Sequence, residues 1–243
     1  VPYEILVWLN VADETLENDI AAAAARGVPL RIVGRTPGNI GMTAYRALFR
    51  AARFALIAQI DDDVVRLSRG IAERADRLFR RFPAVRQIVA DVWQDEHTTG
   101  ARPPLDQYRA YDAGEGLMSG PIDGWFSVYH RSTLPLLMAL PYQAYFPLGA
   151  AARARLARRG QHGLLDLGMK VFHVIGPQYA EAFGMLDAEI EKYRRLGRAD
   201  IVDWYAAWRR LPERIGPDAD RIANISAAID ALDGRCRSGM PRG

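Results

Sequence analysis

Between residues 4 and 92, apolar runs of strand length alternate with segments of helix length. That alternation constrains the fold more than any other feature. Residues 4–9 (EILVWL) read as a strand and residues 13–26 as a helix, with Asp13 as N-cap, Glu14 and Glu17 in the first turn and Gly27 as the stop. Residues 30–33 form a second strand, and 35–41 (RTPGNIG) form a loop by their Pro and Gly content. A helix over 43–53, a strand over 54–60 (FALIAQI), a helix over 69–82 and a strand over 85–92 complete the series. Strands separated by helices of this length predict βαβ units, hence an α/β fold with a mostly parallel sheet flanked by helices.

The second half is less regular. Residues 95–121 are polar and rich in Gly and Pro, long for a simple connection and so expected to be a functional or mobile loop. Strands are expected over 124–130 (GWFSVYH) and 169–175 (MKVFHVI), and helices over 131–140 and 150–159, the latter closed by Gly160. From residue 178 onward the pattern is helical, near 180–196, 201–211 and 218–232, with Pro217 ahead of the last and a frayed tail over 234–243. The expected organisation is a domain over 1–176, with halves 1–95 and 96–176, and a helical C-terminal extension over 177–243 packed on it. Trp204, Tyr205 and Trp208 lie at helical spacing as a packing stripe; Arg209 and Arg210 beside it leave peripheral membrane contact open.

Composition narrows the partners. A formal charge of +3 admits an anionic ligand without demanding nucleic acid. The arginines are scattered, with no interleaved stacking platform, so nucleic acid is not expected. Of 32 basic residues only Lys170 and Lys192 are lysines. Cys236 is the sole cysteine, which excludes intrachain disulfides and cysteine zinc ribbons and fits a reducing, cytoplasmic setting. No basic-then-apolar leader opens the chain and no uninterrupted apolar stretch reaches spanning length, so a soluble protein is expected.

Asp61-Asp62-Asp63 stand directly behind the apolar run 54–60. A buried strand ending in carboxylates delivers them to the carboxyl end of a sheet, where open α/β folds bind ligands. Alternate carboxylates there are hard oxygen donors suited to Mg²⁺ or Mn²⁺. The competing reading is that the acids cap the next helix.

The surrounding string RIVGRTPGNIGMTAYRALFRAARFALIAQIDDDV, from Arg31 to Val64, resembles the nucleotide-sugar half of GT-A-fold glycosyltransferases, a Rossmann-like superfamily. There an Asn-x-Gly loop follows a strand, then a helix with an Arg, then a strand ending in Asp-x-Asp. Asn39-Ile40-Gly41, Arg46 and Asp61-Asp62-Asp63 match that order. The resemblance implies that Asp61 and Asp63 hold Mn²⁺ or Mg²⁺ on the donor's diphosphate, that Asp62 lies near the sugar or ribose, and that Asn39, Gly41 and Arg46 contact the donor. Downstream, residues 153–160 (RARLARRG) and the run Met169 to His173 resemble the family's Gly-closed helix, short strand and metal-binding His, which implies His173 as a third ligand. The resemblance covers roughly residues 4–175.

Two departures stand out. The family's inverting members carry an acidic pair at the start of the Gly-closed helix; here the stretch is Leu148-Gly149-Ala150-Ala151. A general base must reach the acceptor hydroxyl, which alanine cannot do. Asp123 is the first substitute, with Glu115 and Asp95 behind it; transfer with retention of configuration needs no dedicated base. The family's opening strand also has no counterpart ahead of residues 4–9. The expected activity is metal-dependent sugar transfer from a nucleotide-diphosphate donor to an unidentified acceptor. A non-catalytic sugar-nucleotide or carbohydrate-binding protein and a sugar-phosphate nucleotidyltransferase are the alternatives.

Overall fold

Two sheets organise the chain. In the computed structural model, which describes residues 2–10, 13–97, 102–143 and 147–233, β1 (Ile5–Leu9) and β2 (Leu30–Arg35) pair in parallel. The helix α1 (Glu14–Ala25) links them, capped by Asp13, whose carboxylate accepts from Leu16 N–H at 3.1 Å. Gly27, at φ +89°, supplies the left-handed turn that ends this connection. The tail over 234–243, including Cys236, lies outside the described residues, as does part of the expected loop over 95–121.

The larger sheet has seven strands, with main-path order β3 (Leu56–Ile60), β8 (Phe126–His130), β5 (Val85–Val92), β9 (His162–His173), β7 (Leu117–Ser119), β6 (Arg109–Asp112); β4 (Val64–Leu67) also pairs with β9. The fold is therefore mixed α/β, as the alternation implies, but the sheet is mostly antiparallel where a mostly parallel one was expected. Among the strands of the described residues only β1–β2 and β5–β9 run parallel; β3–β8, β5–β8, β4–β9, β6–β7 and β7–β9 are antiparallel. The cause is that β8 inserts between β3 and β5 against both. The segment expected to be a loop also contributes β6 and β7, joined by a turn with Gly116 at φ +71°.

Helices cover this sheet. α3 (Ile71–Arg81) buries Ala75, Leu78 and Phe79 against Val85, Ile88, Val89 and Leu164 in the main core. Within that core Arg74 is 1% exposed, its guanidinium forked onto Asp166 at 2.6 and 2.7 Å and onto Glu115 O at 2.6 Å. A second core joins α2 (Ala44–Ala51), α4 (Leu134–Met138) and α5 (Leu148–Ala157) through Phe49, Tyr129, Leu137 and Leu148.

The C-terminal helices are α6 (Pro177–Ala182), α7 (Leu186–Arg195), α8 (Ala199–Arg209) and α9 (Ala219–Ala231). Gly184, at φ +68°, separates α6 from α7, dividing the helix expected near 180–196. Ile225 and Ile229 of α9 pack on Phe172, Val174 and Tyr179, so the extension shares a core with β9. In the aromatic stripe of α8, Tyr205 is buried and its hydroxyl accepts from Gly176 N–H at 3.2 Å; Trp208 donates to Glu181 at 2.9 Å. Trp204 remains 39% exposed. No helix among the described residues is long and apolar enough to cross a membrane.

Candidate metal centre

The acid triplet occupies the turn between β3 and β4 and does not cap α3, whose N-cap is Gly70. Both ends of the triplet are pinned. Asp61 N–H donates to Trp125 O at 3.1 Å, and Asp63 O accepts from Val174 N–H at 2.8 Å. The β4–β9 ladder pairs Val64 with His173, and this register sets the imidazole beside the preceding aspartate. One ligand atom each from Asp61, Asp63 and His173 lies within 4.8 Å of the others, a grouping that can hold one metal ion.

Burial makes the grouping electrostatically tense. Asp63 and His173 are each 8% exposed, and His173 Nε2 lies 2.8 Å from Asp63 Oδ1. Asp63 Oδ1 thus has the imidazole as its ion-pair partner, while His173 Nδ1 is buried with no hydrogen-bond partner. Buried polar atoms are normally satisfied, so the unpartnered imidazole nitrogen is compatible with a ligand at this cluster. Asp61 Oδ1 accepts from Gln59 Nε2 at 2.6 Å and Tyr45 Oη at 3.1 Å. Gln59 also donates to Gly124 O.

The titrations follow. Burial first, then the neighbouring Asp63 charge, pushes Asp61 up to about 7. Burial also pushes Asp63 upward, but His173 and Lys192 more than offset it and its pKa ends below the usual value. His173 is driven down by burial and further up by Asp63 and Asp61, ending raised. These groups share protons and titrate as one cluster. A divalent cation replaces those protons and relieves the acid–acid repulsion, and two carboxylates with one imidazole leave coordination positions open. The residues present therefore fit a metal.

The triad opens into a cleft of about 2240 Å³. Its walls include β1, β3, α2, α7 and α8, and no ladder joins β1 to β3 across it. Asn39 and Gly41 line this cleft, with Asn39 Oδ1 accepting from Gly41 N–H at 2.7 Å and Gly41 at φ +55°. Asp62 is exposed on the same wall. Arg46 is turned elsewhere: its guanidinium donates to Leu140 O at 2.8 Å and lies 5.3 Å from the Tyr142 ring centre.

Asp123 also lines the cleft, at the start of α5. Desolvation raises its pKa, while backbone N–H groups of Gly124, Ala150 and Gly149 counter the rise. Gly149 is required there, because a Cβ would stand 2.5 Å from the Asp123 carbonyl carbon. The other two substitutes lie off the cleft. Glu115 is buried with Arg74, Arg77 and Arg81, and Asp95 is bonded by Tyr179 at 2.9 Å and Arg221 at 3.2 Å.

Sequence reasoning missed Gln59, Tyr45, Glu189 and Lys192. Gln59 sits two residues before Asp61, where strand alternation puts both on one face. Lys192, on α7, reaches within 3.8 Å of Asp63 Oδ2 and 2.9 Å of Glu189 Oε1. Its rarity in an arginine-dominated chain was the available signal. No family model matches the chain, and no curated protein matches it.

Proposed function

We propose that the chain is a metal-dependent glycosyltransferase of the GT-A type, moving a sugar from a nucleotide-diphosphate donor to an acceptor hydroxyl. One observation carries the reading: Asp61, Asp63 and His173 converge in a cleft that Asn39, Gly41 and Asp62 also line. Mn²⁺, with Mg²⁺ as the alternative, suits this set because the imidazole adds a nitrogen donor to two hard oxygens. A bound divalent ion would neutralise charge developing on the leaving diphosphate.

In this reading the protein's own side chains do the positioning. Gln59 and Tyr45 hold Asp61 by two donors on one oxygen, which would leave its other oxygen for a cation. The Asn39 turn brings the Gly41 backbone to the cleft wall, where no Cβ obstructs a donor group. Asp62, exposed beside the ligands, would accept from a sugar or ribose hydroxyl. The burial-raised carboxyl of Asp123, which lines the cleft, would accept the acceptor's proton if transfer inverts configuration.

A second reading, a sugar-nucleotide-binding protein without transferase activity, is favoured by one feature. The start of α5 offers Gly149, Ala150 and Ala151 without a carboxylate, and backbone N–H groups already engage Asp123. A panel of nucleotide sugars screened by thermal shift with and without Mn²⁺ tests the shared premise, since a ligand that binds only the native state raises its apparent stability. A metal-dependent shift in wild type that vanishes in D61A/D63A supports donor binding; no shift for any nucleotide sugar defeats both readings. Metal-dependent release or transfer of the sugar then separates the transferase from the binder.

A further inference from the structure

The C-terminal helix α7 brings a cation to the triad that the acid-and-histidine motif does not contain. Lys192 Nζ lies 3.8 Å from Asp63 Oδ2, the carboxylate oxygen other than the one beside His173. Glu189, one turn earlier on α7, holds the ammonium at 2.9 Å, and the Tyr193 ring centre lies 5.2 Å away. Lys192 is about one-third exposed and lines the cleft with Asp61, Asp62 and Asp63. No other lysine or arginine forms an ion pair with these three aspartates among the described residues.

This arrangement has two states. Without a metal the ammonium partly neutralises a crowded carboxylate cluster. With a divalent ion on Asp61, Asp63 and His173, the same ammonium stands a few ångströms from a second cation and is repelled. An anion bridging the two removes that conflict, because a diphosphate accepts from an ammonium through one oxygen while another faces the ion. The long, flexible lysine stem permits the swing from Asp63 to such an anion, and Glu189 limits where it can go.

We infer that Lys192 is a positioning residue that couples metal binding to diphosphate binding: it competes with the ion for Asp63 when no anion is present and grips the diphosphate when one is. This rests on the diphosphate-donor reading above. It also gives the helical extension a part in the site, since α7 then completes the anion pocket from outside the strand–helix core. At about 4 Å, the interaction of two unit charges near a protein surface is large enough for a tenfold effect in either direction.

Calorimetric titration of Mn²⁺ into the full chain, with and without inorganic pyrophosphate, tests the coupling in wild type, K192Q and K192R. Wild type should bind Mn²⁺ more tightly with pyrophosphate present. K192Q should bind Mn²⁺ alone about tenfold more tightly and lose about tenfold of the pyrophosphate-dependent gain. K192R, which keeps the charge, should restore most of that gain. A K192Q protein that folds normally by circular dichroism and shows the wild-type affinities in both titrations overturns the inference. If wild type itself binds Mn²⁺ with no gain from pyrophosphate, the diphosphate reading fails, and the coupling with it. E189Q should shift the metal-only affinity in the direction opposite to K192Q, since it frees the ammonium for Asp63; an unchanged value also counts against the coupling.

Discussion

Replacing Asp61 with asparagine should stabilise the metal-free protein above neutral pH, and the size of the effect follows from the site's electrostatics. Unfolded, the carboxyl loses its proton near 3.8; folded, burial and Asp63 hold it up to about 7. Between those values the native state binds more protons than the unfolded one, so the Asp61 contribution falls as pH rises and is fully lost above about 7. A shift of that size corresponds to about 4 kcal/mol at most. The neutral amide of the D61N variant forgoes some attraction to His173 yet still accepts from Gln59 and Tyr45, which leaves a net gain of about 1–3 kcal/mol at pH 8. Urea unfolding of wild type and D61N in chelator at pH 5 and pH 8 measures this: the two should be nearly equal at pH 5 and D61N the more stable at pH 8. Excess Mn²⁺ should reverse the order, because wild type alone keeps the full ligand set. A D61N protein less stable than wild type at pH 8 in chelator would falsify the claim that the site stores charge repulsion for a cation.

Other substitutions probe the surrounding framework. His173→Ala should weaken Mn²⁺ more than Mg²⁺ in parallel calorimetric titrations, since Mn²⁺ accepts nitrogen more readily; equal losses would return His173 to a structural role. Arg74→Met should cost about 3–5 kcal/mol in urea unfolding, because it strands the buried Asp166; a loss below about 1 kcal/mol would mean Asp166 is neutral in the native state. Gly149→Ala should cost about 1–3 kcal/mol by forcing the Asp123 backbone away from α5. Unchanged stability in that variant would show that the α5 start yields freely.

The alternation of strand and helix was legible because apolar period and length are local properties. Strand direction is not local. FSVYH carries the same pattern whether it runs with its neighbours or against them, so the antiparallel insertion of β8 left no mark in the sequence. β9 begins at His162, well before the expected strand over 169–175, because Asp166 and Gly168 interrupt its apolar run. Arg74 explains both residues: it neutralises Asp166, and its guanidinium fills the space a Cβ on Gly168 would need, 2.4 Å from Nη2. In the site, Asp61 and Asp63 could be picked out by residue type and their place behind an apolar run, and His173 only through the family resemblance. Arg46 could not be placed, since its turn toward Leu140 and Tyr142 depends on packing around α4. Nor could Lys192, whose approach to Asp63 depends on how α7 folds back over the cleft.

The proposed metal centre has a direct spectroscopic test. Pulsed electron paramagnetic resonance of Mn²⁺ bound to the chain, with a nucleotide diphosphate present, reads the nuclei coordinated to the ion. Nitrogen coupling that disappears in His173→Ala, together with phosphorus coupling on the same ion, is the predicted result. Bound Mn²⁺ showing neither coupling in wild type would contradict a diphosphate-binding metal at Asp61, Asp63 and His173.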